Sequence, residues 1–133
     1  TGHAEVVDIE FDDSLVSLEE ILEIFFFIHD PTTENRQGND VGTQYRSIIF
    51  YRDYEQKKRI EEYIRKLEKM EVFRNYENDK IVTEVVEFEE FFPAEKYHHN
   101  YFERNLSNPY CLFVIFPKLE KFKKYYKELL KGK

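Results

Sequence analysis

The stretch from Ser17 to Pro31 constrains this chain more than any other. Ser17-Leu18-Glu19-Glu20 has the pattern of a capping box, with Ser17 as N-cap and Glu20 at the third helical position, so that each side chain can meet a backbone N–H of the other. Leu18, Ile21, Leu22, Phe25 and Ile28 follow at helical spacing. Pro31 cannot continue the helix and restricts Asp30, which predicts an end near His29.

The flanks of this helix read differently. Glu5 to Phe11 alternates as a half-buried strand does, with Val7, Ile9 and Phe11 on one face and Glu5, Asp8 and Glu10 mostly off it. Asp12-Asp13-Ser14 is a turn. Asp30 to Thr43 reads as a polar loop without structure of its own, and loops of that length are often functional. Gln44 to Tyr51 predicts a second strand, Asp53 to Met70 a helix with an Ile60, Tyr63, Ile64 and Leu67 stripe, and Ile81 to Phe88 a third strand. Pro93 suits the first position of a short helix running through Phe102. Tyr110 to Phe116 predicts a strand, and Leu119 to Leu130 a last helix. The expected order is β-α-loop-β-α-β-α-β-α, an α+β or α/β domain. At 133 residues it suits one domain, 1–133, whose core needs no metal or disulfide staple.

Composition excludes several functions. A net charge of −7 argues against a nucleic-acid footprint, which needs a basic face, and the lysine-rich stretch from Lys118 reads as a solvated helix face. No apolar run approaches the roughly 18 residues of a membrane span, and no signal peptide is visible. The single cysteine, Cys111, rules out an internal disulfide and a cysteine zinc cluster, and fits a reducing compartment. The chain starts at Thr1 and leads straight into a strand pattern, so a processed, cut or incomplete chain is expected.

On residue type alone the candidate chemical groups have plain structural readings. Glu5 reads as an exposed strand-end glutamate, Asp40 of Gly38-Asn39-Asp40 as a turn aspartate, Tyr45 as core packing, and Cys111 as a buried inert thiol. His98 and His99 are adjacent and cannot both reach one ion from a regular helix, so no metal is expected. No phosphate loop, dinucleotide fingerprint or hydrolase elbow is present.

Longer strings go further. Thr1-Gly2-His3-Ala4-Glu5-Val6-Val7, His29-Asp30-Pro31-Thr32-Thr33, the run from Asn35 to Ser47, Phe92-Pro93-Ala94-Glu95-Lys96-Tyr97-His98, Asn108-Pro109-Tyr110-Cys111, and Pro117-Lys118-Leu119-Glu120-Lys121-Phe122 all resemble segments of the type-A peptide methionine sulfoxide reductases, in order along the whole chain. The resemblance implies a ferredoxin-like α/β plait with additional elements. It implies reduction of the S epimer of methionine sulfoxide, free or in oxidised proteins, by a cysteine thiolate that thioredoxin later restores, in the cytoplasm and without a cofactor. It implies Glu5 as proton donor, Tyr45 as phenolic donor and Asp40 as an organising carboxylate. Gly38 and Gly42 would shape the loop, Tyr110 would lie near substrate, and Cys111 would be a recycling or a structural thiol.

One departure matters. The family's nucleophile lies in a Gly-Cys-Phe-Trp-Gly motif, and this chain has no such motif and no tryptophan. The expectation is that the first β-α-β of the plait, with the nucleophile, is missing, and that the chain alone is inactive. The alternative is a non-catalytic module of the same fold that binds methionine sulfoxide or a partner.

Overall fold

The computed structural model describes residues 4–11, 14–34, 36–37, 39–42, 47–76, 80–88, 97–103, 111–115 and 119–132; for 4–8, 10, 37, 40, 97–103, 111–115 and 119 it describes the backbone. The elements are β1 (Ala4–Glu10), α1 (Leu18–Ile28), β2 (Arg36–Gln37), β3 (Asp40–Val41), β4 (Ile48–Tyr51), α2 (Tyr54–Lys69), β5 (Glu84–Glu87), β6 (Tyr97–Glu103), β7 (Cys111–Ile115) and α3 (Leu119–Lys131). This is an α+β arrangement.

Five strands form one mixed sheet in the order β5-β4-β7-β1-β6. The outer pairs, β4 with β5 and β1 with β6, are parallel, while β7 runs antiparallel to both β1 and β4. The two parallel pairs are therefore joined through one reversed strand. Ile48, Ile49 and Phe50 are buried in succession, and successive strand residues point to opposite faces, so both faces of β4 are covered.

Ile9 of β1 and Ile49 of β4 join Leu18, Ile21, Leu22 and Phe25 of α1, Ile60 of α2, and Phe122 and Tyr126 of α3 in one buried cluster. Helix α1 packs against both α2 and α3. Burying each such side chain contributes about 1.5–3 kcal/mol, which is what binds the helices to the sheet.

The helix ends follow local chemistry. At α1 the Ser17 hydroxyl accepts from Glu20 N at 3.1 Å while Glu20 Oε1 accepts from Ser17 N at 3.1 Å, so the expected capping box is present. At α2 the Asp53 carboxylate accepts from Gln56 N at 2.8 Å, and the Gln56 side chain, itself buried, accepts from Arg52 N at 2.8 Å. Helix α2 ends in a Schellman motif: Val72 N donates to Leu67 O, Glu71 N donates to Glu68 O, and Glu71 takes φ 55°, the left-handed conformation that glycine usually supplies.

Two expectations are corrected. The helix expected over Pro93 to Phe102 is contradicted where the structure describes it, because Tyr97–Glu103 is strand β6 (Pro93 to Lys96 lie outside the described residues). Tyr, His, Asn and Phe are indifferent helix formers, and the partner that holds this segment extended is β1, some ninety residues earlier in the chain. The ladder also carries a shift, since Asp8 pairs with Tyr101 and Ile9 with Glu103, leaving one extra residue in β6. The loop expected over Asp30 to Thr43 does have structure of its own, a small antiparallel ladder pairing Arg36 with Val41 and Gln37 with Asp40. Strand β4 is described from Ile48 onward, and Gln44 to Arg46 of the expected strand lie outside the described residues. Strand β5 starts at Glu84, whose N–H opens the ladder by donating to Ser47 O, while Val82 N donates to Pro31 O, away from β4.

Candidate functional site

The polar segment after α1 returns to the fold through a set of buried hydrogen bonds. His29, the C-cap of α1, is 5% exposed, and its Nδ1 lies 2.5 Å from Phe25 O. A carbonyl only accepts, so Nδ1 carries the hydrogen there. Nε2 lies 2.8 Å from Ser47 Oγ, which in turn is 2.7 Å from Thr83 Oγ1. With neutral imidazole, Thr83 donates to Ser47 and Ser47 donates to Nε2. The His29 ring also packs at 4.4 Å from Phe25 and 6.4 Å from Phe26, centroid to centroid.

Bonds within the segment continue this pattern. Asp30 Oδ1 accepts from Thr32 N at 2.9 Å and from the Thr32 hydroxyl. Thr33 Oγ1 donates to Arg36 O at 2.6 Å, just before the β2–β3 ladder. Val82 N donates to Pro31 O at 2.8 Å, and Glu84 N donates to Ser47 O at 3.0 Å. Thr32, Thr33 and Ser47 are all buried and each is hydrogen-bonded, as polar groups in a protein interior generally are. Sequence reasoning passed over His29, Ser47, Thr32, Thr33 and Thr83 as site residues. The signal available was a histidine and four small hydroxyl residues next to apolar elements.

The residues expected to do chemistry are placed as follows. Glu5 lies on β1, and its Cα pairs with that of His98 in the parallel ladder with β6. The ladder of β1 with β7 runs from Val6 to Glu10 without a shift. Asp40 lies on β3 opposite Gln37. Gly42 takes φ 147°, where an L side chain is strained, so glycine is required at that turn. Cys111 begins β7 with Glu10 as its partner. Along β1 that is five residues beyond Glu5, roughly 17 Å at the rise of a strand. Tyr45, Gly38 and Tyr110 lie outside the described residues, as does His3.

Among the described residues no three His, Cys, Asp or Glu side chains gather as a metal site would require, and no helix is long and apolar enough to cross a membrane. Two open clefts flank α1 on its helix side. One of about 450 Å³ lies against α3 beside Ile24, Phe27 and Tyr125; one of about 230 Å³ lies against α2 beside Phe26, Tyr63 and Phe73. Neither is lined by a residue of the expected site. Near them, Arg59 forks onto the Glu19 carboxylate at 2.6 and 3.1 Å. That hydrogen bond, against a smaller opposing effect of burial, holds Glu19 below the usual carboxylate range, whereas burial pushes the Tyr63 phenol up.

Comparison with known proteins completes the picture. A family model described as peptide methionine sulfoxide reductase matches residues 1–130. A peptide methionine sulfoxide reductase MsrA of Saccharolobus solfataricus is 56% identical over 131 residues, covering 98% of this chain and 71% of that protein. One from Nautilia profundicola is 56% identical over 124 residues, covering 93% and 68%. A crystal structure of Mxr1 from Saccharomyces cerevisiae in reduced form aligns with 68% of this chain and 44% of its own, at 32% identity and a TM-score of 0.49. The chain belongs to the peptide methionine sulfoxide reductase family. It spans about two thirds of the curated relatives and less than half of the yeast chain.

Proposed function

We propose that this chain supplies the proton-donating part of a reductase for the S epimer of methionine sulfoxide, free or in oxidised proteins. The family match over residues 1–130 carries this reading. The reaction needs a thiol and an acid. The thiolate sulfur attacks the sulfoxide sulfur, the oxygen passes to the thiol sulfur with a proton, and the products are a thioether and a sulfenic acid. The sulfoxide sulfur gains two electrons and the thiol sulfur loses two. A sulfoxide oxygen leaves poorly until it is protonated or strongly hydrogen-bonded, and a carboxylic acid kept partly neutral in an apolar pocket can do this. Glu5 is that acid, Tyr45 adds a phenolic hydrogen bond, and Asp40 organises the site. Gly38 and Gly42 shape the segment that carries Asp40, and Tyr110 lies near the substrate.

The attacking thiol comes from a segment outside these 133 residues. The one thiol here, Cys111, starts β7 at the far end of β1 from Glu5, which supports a recycling or structural thiol and not a nucleophile beside the acid. Thioredoxin serves as the reductant in the cytoplasm, and residues 1–133 form one domain, a ferredoxin-like plait without its first β-α-β.

Turnover of a methyl sulfoxide substrate with dithiothreitol tests the reading. The 133-residue chain is expected to show none, and measurable turnover by it would overturn the missing nucleophile. When the chain is joined to a family segment bearing the nucleophile, Glu5→Gln is expected to slow turnover by about 10²–10⁴-fold. An unchanged rate would remove Glu5 as the acid and favour the binding-module alternative.

A further inference from the structure

His29 and Ser47 flank residues 30 to 46 in the chain, and their side chains bond to each other, Nε2 to Oγ at 2.8 Å. The bond closes a neck between two positions separated by seventeen residues of chain. Residues 82–84 lie across the same neck and tie to both of its sides. On the entry side Val82 N donates to Pro31 O at 2.8 Å; on the exit side Thr83 Oγ1 meets Ser47 Oγ at 2.7 Å, and Glu84 N donates to Ser47 O at 3.0 Å. His29 and Ser47 are 5% and 3% exposed, so water does not compete for the bond between them as it would at a surface.

We infer that His29, Ser47 and Thr83 form a clasp that positions the segment carrying Asp40 and Tyr45. This rests on the assignment of those two residues made above. Tyr45 is only two residues from Ser47, so their Cα atoms are at most about 7.6 Å apart. The clasp joins three elements that are distant in sequence, α1, β4 and the approach to β5, and the short β2–β3 ladder lies between its two ends in the chain. His29, Ser47 and Thr83 are positioning residues and touch no substrate in this scheme.

The test uses the full 133-residue chain with Thr83→Val, which removes the hydroxyl at nearly constant volume, and Thr83→Ser, which keeps it. Ser47→Ala is a second lesion at the same link. Trypsin cleavage after Arg36 and Arg46, followed by mass spectrometry, reports opening of the segment. Thr83→Val and Ser47→Ala are expected to be nicked there about tenfold faster than the parent chain, with Thr83→Ser close to it and cleavage within α2 unchanged. Equal nicking rates for Thr83→Val and Thr83→Ser would overturn the clasp, even if Ser47→Ala fails to fold. A parallel titration with N-acetyl-methionine sulfoxide methylamide, read from the amides of residues 39–42, separates the two ideas. A wild-type chain that gives no shift counts against the reductase reading, while the nicking rates judge the clasp. Weaker probe binding in Thr83→Val than in Thr83→Ser supports positioning over simple stabilisation.

Discussion

The helix layer and the loop neck are held together by different physics. Around α1 the contacts are Leu, Ile and Phe side chains at or near zero exposure, and the attraction is non-directional and grows with area. Around His29 a chain of directional hydrogen bonds runs from Phe25 O through the imidazole to Ser47 Oγ and Thr83 Oγ1, beside the ring's packing on Phe25 and Phe26. An apolar layer tolerates small changes of shape at modest cost. A buried polar clasp contributes little net energy when complete, yet it is costly when one partner is removed and another is left unmet. The helix layer therefore sets global stability, while the neck sets where one segment sits.

Substitutions can break or sharpen that contrast. The largest effect is expected from Leu22→Ala at the centre of the helix layer, a loss of about 2–5 kcal/mol in chemical denaturation. The whole domain should lose stability together, and selective loosening of residues 30–46 would contradict the division. His29→Leu, which keeps bulk and removes both ring nitrogens, is expected to cost about 1–3 kcal/mol, mostly from the two lost bonds to Ser47 Oγ and Phe25 O. A neutral result would mean that the neck is held by packing. Glu71→Gly relieves the left-handed residue at the end of α2 and is expected to raise stability by about 1 kcal/mol, because the exposed Glu71–Arg74 pair at 3.5 Å offers little in return.

The smallest effect tests the charge pair between α1 and α2. Glu19 is held below its usual pKa by Arg59, so the pair stabilises the fold above the ordinary carboxylate pKa, and the contribution fades as pH falls through the lowered folded value. Because Glu19 is 43% exposed, Arg59→Met is expected to cost less than about 1 kcal/mol at pH 7. Denaturation at pH 7 and again in acid should show the difference between variant and parent shrinking toward the acid end. A gap that widens in acid would reverse the assignment.

Much of this arrangement is legible in the chain itself. Ser17 with Glu20, the stripe from Leu18 to Ile28, and Asp53 ahead of Tyr54–Lys69 specify their helices through bonds that span three or four residues, so a local reading recovers them. Within the helix expected over Pro93 to Phe102, Tyr97–Phe102 is strand because its partner is β1, and no local period reveals a parallel ladder across ninety residues. Of the proposed site, Glu5, Asp40 and Tyr45 stand out through the strings in which they lie, while residue type alone marks none of them. His29 was visible only as part of such a string, because its role depends on Ser47 and Thr83 arriving from other elements.

The chain by itself determined its helices, its caps and its family, because these rest on neighbours within one turn or on uninterrupted runs of residues. Only the tertiary structure decided the strand order β5-β4-β7-β1-β6, the distance along β1 between Glu5 and the level of Cys111, and the bond across the neck of residues 30–46. Each of these joins groups far apart in sequence, and such pairings are set by the packing of the whole domain and not by any one segment's own preference.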